Sequence, residues 1–246
     1  MSSARLLGMR VAWAVLIFWP LSTNTHTSIN QQNQRSSNHS FSLGYLVTTR
    51  GKLKKLNTMA DYTLFKKSIE IAEGGYQNFK QDQGNYNSLN ERVGTNFGIS
   101  ARFYEGIIGY PPSVEDMKNI TKTEVHILFK NEFWDKVRAD EITHQGVAEL
   151  IVDHAINAGP KSAAGIVQKT LNTYFNSDLT VDYAVGPKTL AAINAVDPVL
   201  LFQKIAMARL ENYKGKKEYK KFGRSWRSRV YKLGTKFGIP LEKCPT

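Results

Sequence analysis

Ile71-Ala72-Glu73-Gly74-Gly75-Tyr76 is the stretch that decides how this chain is read. Upstream of it Phe65, Ile69 and Ala72 recur at i, i+4 and i+7, with Leu64 and Ser68 beside them. Asp61 stands where a side-chain oxygen can accept from the first free N–H groups of a helix. The pattern predicts a helix that ends at two glycines, which enter left-handed backbone conformations at little steric cost. Glu73 then falls on the last turn of an apolar-faced helix. Burial against such a face disfavours a charged carboxylate and raises its pKa, as a general acid near neutral pH requires. The competing reading is a solvated glutamate at a helix end, and only the downstream residues favour the first over the second.

Lys and Arg number 33 against 21 Asp and Glu, a formal charge of +12. Such an excess implies an acidic partner: nucleic acid, anionic lipid, or an anionic polymer such as a bacterial cell wall. The apolar share of 41% and the charged share of 22% are those of an ordinary soluble globular protein. A length of 246 residues suits one large domain or two small ones. The single cysteine, Cys244, has no partner for an internal disulfide, and no thiolate metal cluster exists. Neither a metal nor an organic cofactor is expected.

Residues 1–58 do not read as part of the fold. Arg5 and Arg10 precede the apolar run Val11 to Leu21, which is short for a stable membrane span and matches a secretory core segment. The following Ser22-Thr23-Asn24-Thr25 lacks a small-x-small cleavage pattern. The polar tract around Gln31 to Asn38 and the basic Arg50-Gly51-Lys52-Leu53-Lys54-Lys55 bury too little apolar surface to order themselves. Met59 directly precedes the first convincing helix. A signal-like leader and an over-extended start therefore stand as equal readings.

Gln77 to Val93 shows no apolar period and carries Gly84, Asn85, Asn87 and Asn90, which predicts a long functional or mobile loop. Capping boxes follow at Ser113 and, more clearly, at Thr121-Lys122-Thr123-Glu124. The second opens a helix with Val125, Leu128, Phe129 and Phe133 on one face. A helix over Gln145 to Ala158 puts Val147, Leu150, Ile151 and His154 on its apolar stripe and Asp153 and Asn157, four apart, on another face. Gly159-Pro160 ends it, and another amphipathic helix takes Ile166, Val167, Thr170, Leu171 and Tyr174. Gly186-Pro187 enters a short helix with proline at its first position. From Lys204 to Lys236 the chain is helical and carries twelve Lys/Arg. With no strand-rich region and no repeat, the fold is expected to be mainly α. A catalytic region over 59–145 and a second helical region over 146–240 are the expected divisions.

Glu73, Asp82 and Thr95 are the residues with chemistry to offer. Glycoside hydrolysis needs a proton donor at the leaving oxygen and a second group that stabilises the cationic centre or activates water. The fuller pattern, Glu73-Gly74-Gly75-Tyr76-x-Asn78, then Asp82, then Thr95-Asn96-x-Gly98-Ile99, resembles glycoside hydrolase family 108, the lysozyme-like peptidoglycan hydrolases. Asp153-His154-Ala155-Ile156-Asn157-Ala158-Gly159-Pro160, the segment Val181 to Ile193, and Phe222-Gly223-Arg224-Ser225-Trp226 resemble the peptidoglycan-binding module that follows that region. The resemblance implies a lysozyme-like helical fold, an N-acetylmuramidase acting on the β-1,4 bond between N-acetylmuramic acid and N-acetylglucosamine, and Glu73 as its acid. It makes Asp82 and Thr95 candidate catalytic partners and Tyr76, Asn96, Asp153 and Asn157 candidate substrate contacts.

The chain departs from the family in a longer link between Asp82 and Thr95, which leaves Asp140 and Glu141 as fallback carboxylates. Expected partners are peptidoglycan strands and anionic wall polymers rather than nucleic acid. A monomer with no stable membrane span is expected, acting on the cell wall in the periplasm or outside the cell. Release by a signal segment and phage-type release both remain open. A lytic transglycosylase using the same glutamate, and a wall-binding or nucleic-acid-binding protein without catalysis, are the alternatives.

Overall fold

The computed structural model describes residues 45–47, 53–55, 59–72, 75–217 and 219–242. Glu73, Gly74, the signal-like run and Cys244 lie outside the described residues, as do the side chains of Ile69 and Ala72. Tyr45–Val47 (β1) and Leu53–Lys55 (β2) pair antiparallel, with Tyr45 opposite Lys55. A short ladder thus forms inside a tract whose composition predicted none. Tyr45 and Val47 are residues that suit a strand, and the polar average of the tract hides them.

Tyr62–Ala72 (α1) is the helix expected before the two glycines. Asp61 starts it by accepting from the Thr63 N–H at 2.8 Å and the Thr63 hydroxyl at 2.7 Å. The helix is anchored on several sides. The Ala60 N–H donates to Ile142 O at 2.8 Å, Gln145 bonds both the N–H and the carbonyl of Asp61, and the Tyr62 hydroxyl donates to His126 O at 2.7 Å. Phe65 stacks on Trp134 at 5.5 Å, and Tyr62 meets the same indole edge-on at 5.4 Å. Eleven residues of helix run about 16 Å, and these anchors hold its first half against Trp134 and the start of α5.

Ala101–Ile108 (α2), Val114–Asn119 (α3) and Lys122–Phe129 (α4) follow. Both predicted capping boxes are present, Ser113 with Asp116 and Thr121 with Glu124. Their carboxylates sit below the usual range because they accept from the backbone N–H of the cap residue. The helix predicted through Phe133 does not continue as α-helix. It widens at Lys130–Trp134 into a π turn, then tightens through the 3-10 turns Asp135–Val137 and Ala139–Glu141. The wide turn lets two consecutive side chains, Phe133 and Trp134, both reach the interior.

Gln145–Ala158 (α5) is the centre of the molecule. Every residue from Gly146 to Ile156 is buried, far beyond the one stripe expected, because the helix is enclosed all round. Pro160–Phe175 (α6), Pro198–Lys214 (α8) and Tyr219–Lys236 (α9) pack on it, and Pro187–Ala195 (α7) bridges α6 and α8. Gly159, at φ +86°, and Pro160 at the first position of α6 make the turn between α5 and α6. One apolar cluster runs without a break from Ala60 to Ile239. The architecture is mainly α and lysozyme-like in its helical frame, with small strands beside it.

Candidate active site

Thr95–Asn96 (β3) and Ile99–Ser100 (β4) form a hairpin, joined by Phe97 and Gly98 at φ +46° and +76°. Positive φ at both turn residues matches the twist of the two strands. Gln77 adds a further rung, exchanging backbone bonds of 2.8 Å with Thr95 in each direction. The residues just after the glutamate are thereby joined to the strand that carries Thr95.

The polar segment between them is not a loose loop. Asn85 and Asn87 are both 0% exposed. The Asn85 amide exchanges bonds with the Gln77 amide at 2.9 and 3.0 Å and donates to Phe79 O at 3.0 Å. Its Oδ1 also accepts from the Thr95 hydroxyl at 2.6 Å. Gln77 Nε2 donates in turn to Asp82 Oδ2 at 2.9 Å, while Asp82 Oδ1 accepts from the Gly84 N–H at 2.9 Å and caps the short 3-10 turn Gln83–Asn85. Asp82 and Thr95 therefore belong to one hydrogen-bonded unit, linked through Gln77 and Asn85. Neither linker was picked out from the sequence. A Gln and an Asn inside a polar run give no periodic signal, because such residues look alike whether they face water or each other.

Tyr76 lies across Gly94 and donates its hydroxyl to Val93 O at 3.0 Å. Lys118 Nζ stands 5.3 Å from the centre of its ring. Asn78 donates to the Tyr76 hydroxyl at 3.2 Å, and its own Oδ1, though buried, accepts no bond from the described residues. Asn96 is buried and donates from Nδ2 to Met117 O at 2.9 Å, holding the end of α3 against β3.

Asp153 and Asn157 lie on α5, where they meet α8 and α9. Asp153 Oδ2 pairs with Arg209 Nη2 and Oδ1 with Arg229 Nε, both at 2.6 Å. Arg229 also donates to Asn157 Oδ1 at 3.1 Å, and Asn157 donates back to Asp153 O at 2.6 Å. Burial alone would raise the Asp153 carboxyl, but Arg229 and Arg209 outweigh it and hold it below the ordinary range. Burial, then the neighbouring Arg209, drives His154 well below its ordinary pKa, so the imidazole is neutral. The fallback carboxylates are engaged as well. Asp140 accepts from the Trp134 indole at 2.6 Å, and Glu141 forms a two-pronged pair with Arg138, both bonds 2.6 Å.

Among the described residues no group of His, Cys, Asp and Glu is arranged to hold a metal ion, and no single helix is long and apolar enough to cross a membrane.

The sequence profile of the glycosyl hydrolase 108 family matches residues 67–159, the span that contains Glu73, the hydrogen-bonded segment and α5. No curated protein sequence matches the chain. Among solved structures, that of SagA from Brucella abortus is similar at a TM-score of 0.63 and 27% identity, covering 72% of this chain and 94% of that one. The likeness of fold extends over more of the chain than the family match does.

Proposed function

We propose, from the premise that residues 67–159 belong to glycosyl hydrolase family 108, that this peptidoglycan hydrolase is an N-acetylmuramidase, with Glu73 as its general acid. The observation that carries the reading is the joining of Asp82 and Thr95 through Gln77 and Asn85, in a segment that begins directly after the glutamate. In this mechanism Glu73 gives its proton to the glycosidic oxygen between N-acetylmuramic acid and N-acetylglucosamine. The bond to the anomeric carbon breaks as the leaving sugar takes that proton. The Asp82 carboxylate stabilises the oxocarbenium-like centre; water oriented by the Thr95 hydroxyl then adds to it and gives up its surplus proton to the Glu73 carboxylate, which restores the acid. Asn78 Oδ1, an acceptor left unpaired, is suited to the N–H of an acetamido group, because a buried acceptor without a partner gains from any donor brought to it. Tyr76 supplies a ring beside it. The basic helix α9 and its neighbours favour retention on anionic wall polymers.

A second reading has an observation of its own. Both Asp82 oxygens already accept bonds that stabilise the turn. An Asp82 committed to that task leaves Glu73 alone, and a lone glutamate suits lytic transglycosylation, in which the substrate's own hydroxyl closes on the anomeric carbon. The test uses the full chain and its Glu73→Gln variant on purified peptidoglycan, with released fragments weighed by mass spectrometry. Reducing N-acetylmuramic acid ends, absent with the variant, are the expected result. Anhydro ends would transfer the chemistry to transglycosylation. Equal release by both proteins would remove Glu73 from the mechanism.

A further inference from the structure

The connection between α6 and α7 is built on backbone that side chains seldom adopt, with Asn176, Asp178 and Tyr183 at φ +51°, +46° and +63°. Asn and Asp tolerate this region through local hydrogen bonds, whereas tyrosine rarely enters it. Two buried-side anchors from α6 hold it there. Asn172 bonds both the N–H and the carbonyl of Leu179 at 2.7 Å. Gln168, 1% exposed, accepts from the Tyr183 N–H at 3.0 Å and donates to Asp182 Oδ1, Ala184 O and Thr189 Oγ1 at 2.6, 2.9 and 3.2 Å. Strained backbone of this kind survives where its surroundings over-determine it, often at ligand sites.

The result of that strain is the placement of one ring. Tyr183 lies flat enough on α6 that a Cβ at Gly165 would come within 2.5 Å of it. Lys169, one turn along α6, brings Nζ to 5.8 Å from the ring centre. With α6 covering one side of the ring, Tyr183 is still 47% exposed, which leaves the side turned away from the helix open. Next to it Asp182 Oδ1 takes the bonds from Gln168 and Ala184, and among the described residues no neighbouring side chain donates to Oδ2. A fixed aromatic face beside a free carboxylate oxygen is complementary to a pyranose, which has an apolar C–H face and a rim of hydroxyl donors.

We propose that Tyr183 stacks on a pyranose ring of a glycan strand while Asp182 Oδ2 accepts from one of its hydroxyls, forming a subsite in the C-terminal half, apart from the residues around Thr95. The proposal rests on the glycan reading above. The test compares the full chain with Tyr183→Asn, which retains the tolerance for left-handed backbone and removes the ring, and with Tyr183→Phe, which retains the ring. Sedimentation with insoluble purified peptidoglycan should show roughly three- to tenfold weaker retention for Tyr183→Asn, the range that one aromatic contact supplies, and near-native retention for Tyr183→Phe. Thermal midpoints of the variants check that both are folded. The KM on the same polymer should rise for Tyr183→Asn with kcat held. Native retention and KM in a folded Tyr183→Asn would overturn this subsite while leaving the hydrolase reading intact. A wild type that neither binds nor cleaves the polymer would overturn both. Loss confined to binding of single-stranded DNA would show the ring to be a base platform and overturn the glycan assignment.

Discussion

Gly94 shows how much of the site depends on a missing methyl group. Its φ is +96°, and a Cβ built there would lie 2.5 Å from the Tyr76 ring and 2.7 Å from its hydroxyl oxygen. No small adjustment relieves both, because the hydroxyl is tied to Val93 O and the ring follows Gln77 into the hairpin. Gly94→Ala is therefore expected to destabilise the chain by about 1–3 kcal/mol, from backbone strain and ring displacement together. In a protein of this size that lowers the thermal midpoint by several degrees, on the order of 2–4 °C for each kcal/mol. Adding Tyr76→Ala should return part of the loss, since it removes the clash and leaves only the strain. A Gly94→Ala variant that melts with the wild type would show that the ring does not lie there. Asp82 is a residue of the same kind, with a role that follows from what its two oxygens touch and not from its place in a motif. The sequence suggested it as a catalyst. The structure adds that it caps a turn and receives the Gln77 amide, so any variant must be judged on stability as well as rate.

At the scale of elements, the segment between Gln77 and Thr95 has a core made of amides. Asn85 makes bonds with Gln77, Phe79 and Thr95, all inside a region it occupies at 0% exposure. Asn85→Leu fills a similar volume and strands these partners without a replacement. Each abandoned buried group costs about 1–3 kcal/mol, so with three partners stranded a total loss of at least about 3 kcal/mol is expected in a urea titration. Activity on peptidoglycan should fall through kcat more than through KM, because Thr95 and Asp82 lose their common support. A loss below about 0.5 kcal/mol would contradict the network, being what ordinary surface substitutions show. The same segment explains the limits of the sequence. Helix α1 was legible because apolar side chains repeat along it, and both capping boxes because their residue types fix a geometry. The amide core was not legible, since Asn and Gln carry the same signal whether they face water or each other. The π turn at Lys130–Trp134 was equally hidden: Phe129 and Phe133 fit an α-helix in sequence, and only the need to bury Trp134 as well distorts it. Asp153 and Asn157 were correctly placed on one face of α5. What that face meets, Arg209 and Arg229, comes from 56 and 76 residues further along, and no local pattern announces it.

At the scale of the whole molecule, that charge cluster ties α5 to α8 and α9. Arg209 is fully buried and leans on Asp153, Leu150 O and the Tyr213 hydroxyl. Replacing the carboxylate by Asp153→Asn leaves a buried guanidinium without its counter-charge, and loss of one partner of such a pair costs about 3–5 kcal/mol. The cluster also sets how stability responds to acid. His154 sits beside it, 1% exposed, with its pKa depressed by burial first and by Arg209 and Lys216 after that, and only Asp153 pulling the other way. In the unfolded chain the imidazole takes up a proton as pH falls below its ordinary value of 6.5, while in the folded chain it stays neutral. The unfolded state then binds more protons, so His154's contribution is complete above pH 6.5 and drains away below it. One proton gives a slope of up to about 1.4 kcal/mol per pH unit. Asp153, whose folded pKa is also lowered, loses its contribution only at lower pH, below its ordinary value of 3.8, so the two windows are separate. Urea midpoints taken between about pH 7.5 and about pH 5 should fall steeply for the wild type and far less for His154→Gln, which removes the titration and keeps an amide within reach of Ser162. A variant that follows the wild-type curve through that window would mean that His154 is protonated in the folded chain, and that the positive charge on Arg209 does not govern it.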